Sequence, residues 1–176
     1  ANEYSNKTIK QNLIDGLSKK EFILSKFFTL VFFSLVSTIL IFFISICIGL
    51  YYSSYTEFSI IIKETNFLVA YFVKLVGFFS LCLFFGMLMK RSAFALAFIF
   101  VLYILEWITF GLMAWKIDGD TAERIQNFFP LKSMYKLIDQ PFQRIAMTKF
   151  PDKTDMAYDY AVHWHEIAIV LGWTAL

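Results

Sequence analysis

The sequence predicts an all-α integral membrane protein, and three observations carry that reading. Phe22–Tyr52, Phe67–Met89 and Ala93–Trp115 are long runs rich in Phe, Leu and Ile and nearly free of charge. About 20 mostly apolar residues let a helix cross a hydrocarbon core ~30 Å thick, and each run is long enough. The composition is 59% hydrophobic and 20% aromatic, with a mean hydropathy of +0.62, more apolar than a soluble domain of 176 residues. A net charge of +2 is too small to argue for nucleic acid. Cys47 and Cys82 fall inside the apolar runs and read as small packing residues, not as a disulfide or a metal pair.

The elements follow in chain order. In Ser5–Leu17, Ile9, Leu13 and Leu17 repeat at i, i+4 and i+8 with Ile14 beside them, while Lys7, Lys10, Gln11 and Asn12 fill polar positions. That spacing predicts an amphipathic helix. Ser5 or Asn6 caps its start and Gly16 ends it. Ser18-Lys19-Lys20-Glu21 then fits a capping box, with Ser18 as N-cap and Glu21 at N3. A short surface helix over 5–17 therefore turns directly into the first span, 20–52. This span exceeds what the bilayer requires, so it tilts or protrudes. Tyr51, Tyr52 and Tyr55 form an aromatic cluster at its far end.

A loop at about 53–66 returns the chain into the second span, 67–89. Lys90-Arg91 follows, and the third span, 93–115, begins at once. So tight a link makes spans two and three antiparallel neighbours. Lys7, Lys10, Lys19, Lys20, Lys26 and Lys90-Arg91 mark the cytoplasmic side, against a single Lys63 in the loop after the first span. Residues 116–162 are then external. They are mixed in charge and contain two short periodic pieces, Ala122–Phe129 and Leu131–Ile138 behind Pro130. These predict two short helices, either resting on the outer membrane face or dipping into it. Residues 163–176 open a fourth, truncated span. The apolar stretch Glu166–Leu176 stops after about ten residues, too few to cross. The segment after Ala1 lacks the apolar core of a signal peptide. The expectation is a single transmembrane domain, 1–176, that is part of a longer membrane protein.

The segment Asn6-Lys7-Thr8-Ile9 … Leu13-Ile14-Asp15-Gly16-Leu17-Ser18-Lys19-Lys20-Glu21-Phe22-Ile23-Leu24-Ser25-Lys26 resembles the cytoplasmic connecting segment of ABC-2 type transporter permeases. Thr8, Leu13, Gly16, Leu17, Ser18, Glu21 and Lys26 match the family pattern. Asn6-Lys7 stand where a Gly is often found, and Lys19 stands for the usual Arg. The order of spans is also similar to such permeases, with a pair of short external helices before the last one. The resemblance implies a helical permease that works as a dimer, with a second copy or a homologous permease. It implies that 5–17 is a coupling helix docking on a cytoplasmic ABC ATPase subunit, with Ile9, Lys10, Leu13, Ile14 and Leu17 as the coupling residues. The location implied is the cell inner (plasma) membrane, and the activity is export of a substrate. No G-x-x-x-x-G-K-[ST] phosphate loop occurs in the sequence, so ATP hydrolysis is expected on the partner, and no cofactor is expected here.

Two charges stand inside spans, where ionisable groups are costly and usually paired or facing a cavity: Lys74 and Glu106. Each lies about 16 residues from the Lys90-Arg91 hinge, roughly 24 Å along its helix. The two side chains are therefore expected to approach each other in the outer half of the membrane. An ion pair locking two helices, a place on a substrate path, and snorkelling of Lys74 to the interface are the three readings. His163, His165 and Glu166 make the only metal-like cluster. It lacks H-E-x-x-H and a third nearby ligand, so a polar aromatic belt at a helix mouth is the better reading. Ser45, Cys47, Gly77, Ser80 and Gly86 are small residues suited to close helix packing. Against the permease stand two alternatives, a non-transporting membrane scaffold and a membrane-embedded enzyme. The enzyme lacks a convincing constellation.

Overall fold

The computed structural model describes residues 18–52, 65–89, 92–117, 119–138 and 162–175. These form six helices: α1 (Lys19–Tyr52), α2 (Asn66–Met89), α3 (Ser92–Lys116), α4 (Gly119–Gln126), α5 (Pro130–Lys136) and α6 (Trp164–Ala175). The described residues contain no sheet. The first three helices are long and apolar enough to cross a membrane. By that measure the candidate spans are Lys19–Tyr51, Asn66–Met89 and Ala93–Lys116. Residues 5–17, where the coupling helix is expected, and residues 53–64, 90–91, 118 and 139–161 lie outside the described residues.

Helix α1 starts on its capping box. The Ser18 backbone N–H donates to Glu21 Oε2 at 2.8 Å, and the Glu21 N–H donates to Ser18 Oγ at 3.2 Å. Two orphan donors of the first turn are thereby satisfied. At 34 residues α1 runs about 51 Å, well beyond a ~30 Å core. Three of its hydroxyls are satisfied within the helix: Thr29, Ser34 and Thr38 each donate to the carbonyl four residues back at 2.8–2.9 Å. In lipid such back-bonding replaces the missing water. The helix packs on α2, where Phe33 meets Phe79 edge-on at 5.7 Å and Ser34 is buried. Phe28, Phe32 and Phe43 point away from the bundle, an arrangement suited to lipid.

Helix α2 is the centre of the bundle. Ala70, Val73, Gly77, Leu81 and Phe85 recur at three and four residues and bury one face. Against that face lie Met134 of α5, Leu137 just after it, and Ile167 and Val170 of α6. Phe85 meets Phe98 of α3 at a tilt of 47°, with ring centroids 4.8 Å apart. The closest approach is at Gly77, where a Cβ would stand 2.7 Å from Val170 Cγ1 and 3.2 Å from Met134 Cε. Gly77 thus carries the small-residue packing expected of it. Gly86 does not, since a Cβ there would meet nothing within 4 Å, and Cys47 is exposed.

The short helices α4 and α5 correspond to the two periodic pieces after the third span, and they settle beside α3. Ala122 and Gln126, one turn apart on α4, are buried in that contact. The turn between α4 and α5 descends to the level of Glu106, about ten residues or ~15 Å short of the end of α3. Trp173 of α6 clamps the turn from the other side, its Nε1–H donating to the Phe128 carbonyl at 2.9 Å.

Candidate functional site

Helix α5 begins under unusual constraint. Its N-cap residue is Phe129, extended at φ −72°, ψ 146°, with no acceptor on its side chain. Pro130 at N1 has no N–H to satisfy. The Leu131 and Lys132 N–H groups remain, deep in the bundle. Both donate to Glu106, to Oε1 and Oε2 respectively, each at 3.0 Å. Ser133 N–H then makes the first intrahelical bond, to the Phe129 carbonyl at 2.8 Å. Every donor of the first turn is accounted for, and the cap comes from a different helix. The carboxyl group also faces the N-terminal end of α5. The Glu106 carbonyl accepts from Thr109 Oγ1 at 2.9 Å and from Gln126 Nε2 at 3.4 Å. Glu106 is 8% exposed, so this one residue joins α3, α4 and α5 from inside the protein.

Glu106 and Lys74 stand on the walls of one cleft of about 700 Å³ between α2, α3 and α5. Most of its wall is apolar, from Leu75, Phe78, Phe110, Leu131 and Met134. Tyr103 and Trp107 stand at its open side, more than half exposed. Tyr135 carries two cations: Lys74 Nζ and Lys132 Nζ each lie 5.8 Å from its ring centroid. Gln126 also lines the cleft, and its Oε1 is buried with no partner among the described residues.

A smaller cavity of about 250 Å³ lies between α4, α5 and α6, lined by Arg124, Asn127, Lys136, His165 and Glu166 among others. Lys136 Nζ is 3.7 Å from Glu166 Oε1, tying α5 to α6. His163 and His165 stack with centroids 5.3 Å apart. Glu166 is thus turned toward a lysine. Among the described residues no group of three or more His, Cys, Asp or Glu is arranged to hold a metal ion.

Lys132, Tyr135 and Gln126 were not singled out by sequence. Their signal was faint: Pro130 behind a residue that cannot cap implies an acceptor supplied from elsewhere in the chain. The coupling residues Ile9, Lys10, Leu13, Ile14 and Leu17 lie outside the described residues.

Three spanning helices and a short helical pair capped inside the bundle define a multi-pass α-helical membrane protein. The chain belongs to the ABC-2 family: the family model described as "ABC-2 family transporter protein" matches residues 1–176. It is therefore the membrane component of a transporter of that family, whose permeases are typically non-catalytic and function with ABC ATPase partners. Neither a curated protein nor a solved structure matches it.

Proposed function

We propose that the chain is the transmembrane permease subunit of an ABC-2 exporter of the inner membrane, driven by ATP hydrolysed on a separate subunit. The observation that carries this reading is the family match over all 176 residues. Residues 5–17 serve as the coupling helix. Ile9, Leu13, Ile14 and Leu17 form the face that meets the ATPase, and Lys10 flanks it. A second permease copy or a homologous permease completes the path. Lys74 and Glu106 form the intramembrane charge pair of the cleft, which gives two neighbouring spans a polar locus that can respond when the helices shift.

The test is a pull-down of the full-length protein from mild detergent, with a variant carrying Leu13→Asp and Leu17→Asp beside it. An ABC ATPase that co-purifies with the native protein and is lost from the variant is the expected result. An ATPase in neither sample would overturn the proposal in favour of a non-transporting scaffold.

A further inference from the structure

We infer that the cleft between α2, α3 and α5 binds an uncharged long-chain lipid whose polar head is a hydroxyl. One buried atom points to the hydroxyl. Gln126 is 5% exposed and lines the cleft. Its Nε2 donates to the Glu106 carbonyl at 3.4 Å, and its Oε1 is buried with no partner among the described residues. A contact of 3.4 Å is near the limit of hydrogen-bond length, so the amide is loosely held and can turn its oxygen to the cleft. Buried polar groups are paired almost without exception, and this acceptor calls for a donor. The charged side chains of the wall make no such call. Glu106 already accepts the Leu131 and Lys132 N–H groups, and Lys74 and Lys132 each set an ammonium 5.8 Å from the Tyr135 ring centroid.

Position and wall chemistry choose the rest of the ligand. Leu75 and Phe78 stand near the middle of the 24-residue α2, and Glu106 and Trp107 just past the middle of the 25-residue α3. In helices that span a bilayer that level is hydrocarbon. Burying a charged headgroup there is costly, whereas a lone hydroxyl needs a single acceptor. Leu75, Phe78, Phe110 and Met134 offer apolar surface to a chain. Tyr103 and Trp107, 52% and 65% exposed, flank the open side, through which a lipid can enter sideways. The volume, about 700 Å³, falls within the roughly 300–1,000 Å³ of small-molecule sites.

This inference concerns binding and stands whether or not an ATPase partner is found. The full-length protein in phosphatidylcholine nanodiscs is labelled with a photoreactive hexadecanol, and the adducts are mapped by peptide mass spectrometry. Adducts are expected on 71–78, 103–110 and 131–135. Unlabelled hexadecanol should compete about fivefold better than its methyl ether, which keeps the chain and lacks the donor. Gln126→Leu should erase that preference. Leu75→Trp fills the cleft and should abolish the labelling. The comparison of alcohol with ether is made on the native protein, so the test stays decisive if neither variant folds. Equal competition by alcohol and ether, a preference that survives Gln126→Leu, undiminished labelling in Leu75→Trp, or no labelling of these segments would each overturn the inference. Phosphatidylglycerol competing as well as the alcohol would overturn it too, since a charged headgroup would then be accepted.

Discussion

Replacing Gly77 by Ala sets two opposed effects against each other, and the structure says which wins. Ala is worth about 1 kcal/mol more than Gly in a helix interior. Against that, the new Cβ would stand 2.7 Å from Val170 Cγ1, about 0.8 Å inside the ~3.5 Å at which carbon atoms attract. Val170 is 0% exposed, and a valine in a helix has essentially one rotamer, so it cannot swing away. Met134 Cε, at 3.2 Å, is the end of a flexible chain and gives readily. Overpacking of this kind costs about 1–3 kcal/mol, so Gly77→Ala should destabilise by up to about 2 kcal/mol net. In a Val170→Ala background the obstructing methyl is gone, and the same substitution should stabilise by roughly 0.5–1 kcal/mol. The assay is a double-mutant cycle on purified full-length protein in detergent, following thermal or SDS-induced unfolding by tryptophan fluorescence. The signature is a change of sign between the two backgrounds. The same sign in both would refute the claim that Val170 limits the approach of α2 to α6.

Glu106→Gln should destabilise by about 1–3 kcal/mol, because an amide offers one acceptor oxygen where Leu131 and Lys132 present two N–H groups. Hydrogen exchange at those two amides should accelerate first, and unchanged protection would show that the cap is dispensable. For Lys136 and Glu166, whose side chains are 33% and 11% exposed, a Lys136→Met, Glu166→Gln cycle should give a coupling of about 0.5–1 kcal/mol that shrinks as salt is raised. A salt-independent coupling would mean that the cavity they line is dry. Gly86→Ala should be neutral or stabilising by up to about 1 kcal/mol, since the new methyl meets nothing within 4 Å. A marked loss of stability would reveal a neighbour packed against α2 at that point.

The spans were legible because lipid imposes the simplest rule in protein chemistry: a run of about 20 apolar residues has few other uses. The capping box at Ser18 and Glu21 was legible for a similar reason, both partners lying within one turn. Glu106 was legible as an ionisable group in need of partners inside a span. Its two backbone partners were hidden. They are N–H groups, which every residue but proline possesses, and no side-chain pattern distinguishes the pair that will face a carboxylate. The difference between Gly77 and Gly86 was hidden as well. Both are glycines on α2, and only the third dimension shows that α6 crosses one of them.

The cap on α5 also sets an order of events during biosynthesis. Glu106 enters the membrane with α3, where a lone carboxylate costs about 2.5–3.5 kcal/mol. The N–H groups that compensate it lie 25 and 26 residues further along the chain. At about 5–20 residues per second they emerge roughly 1–5 s later. Throughout that interval α3 is a span in debt, best kept at the insertion machinery or against α2 and away from open lipid. A chain interrupted before Pro130 would own all three spans and still lack what lets the third of them settle.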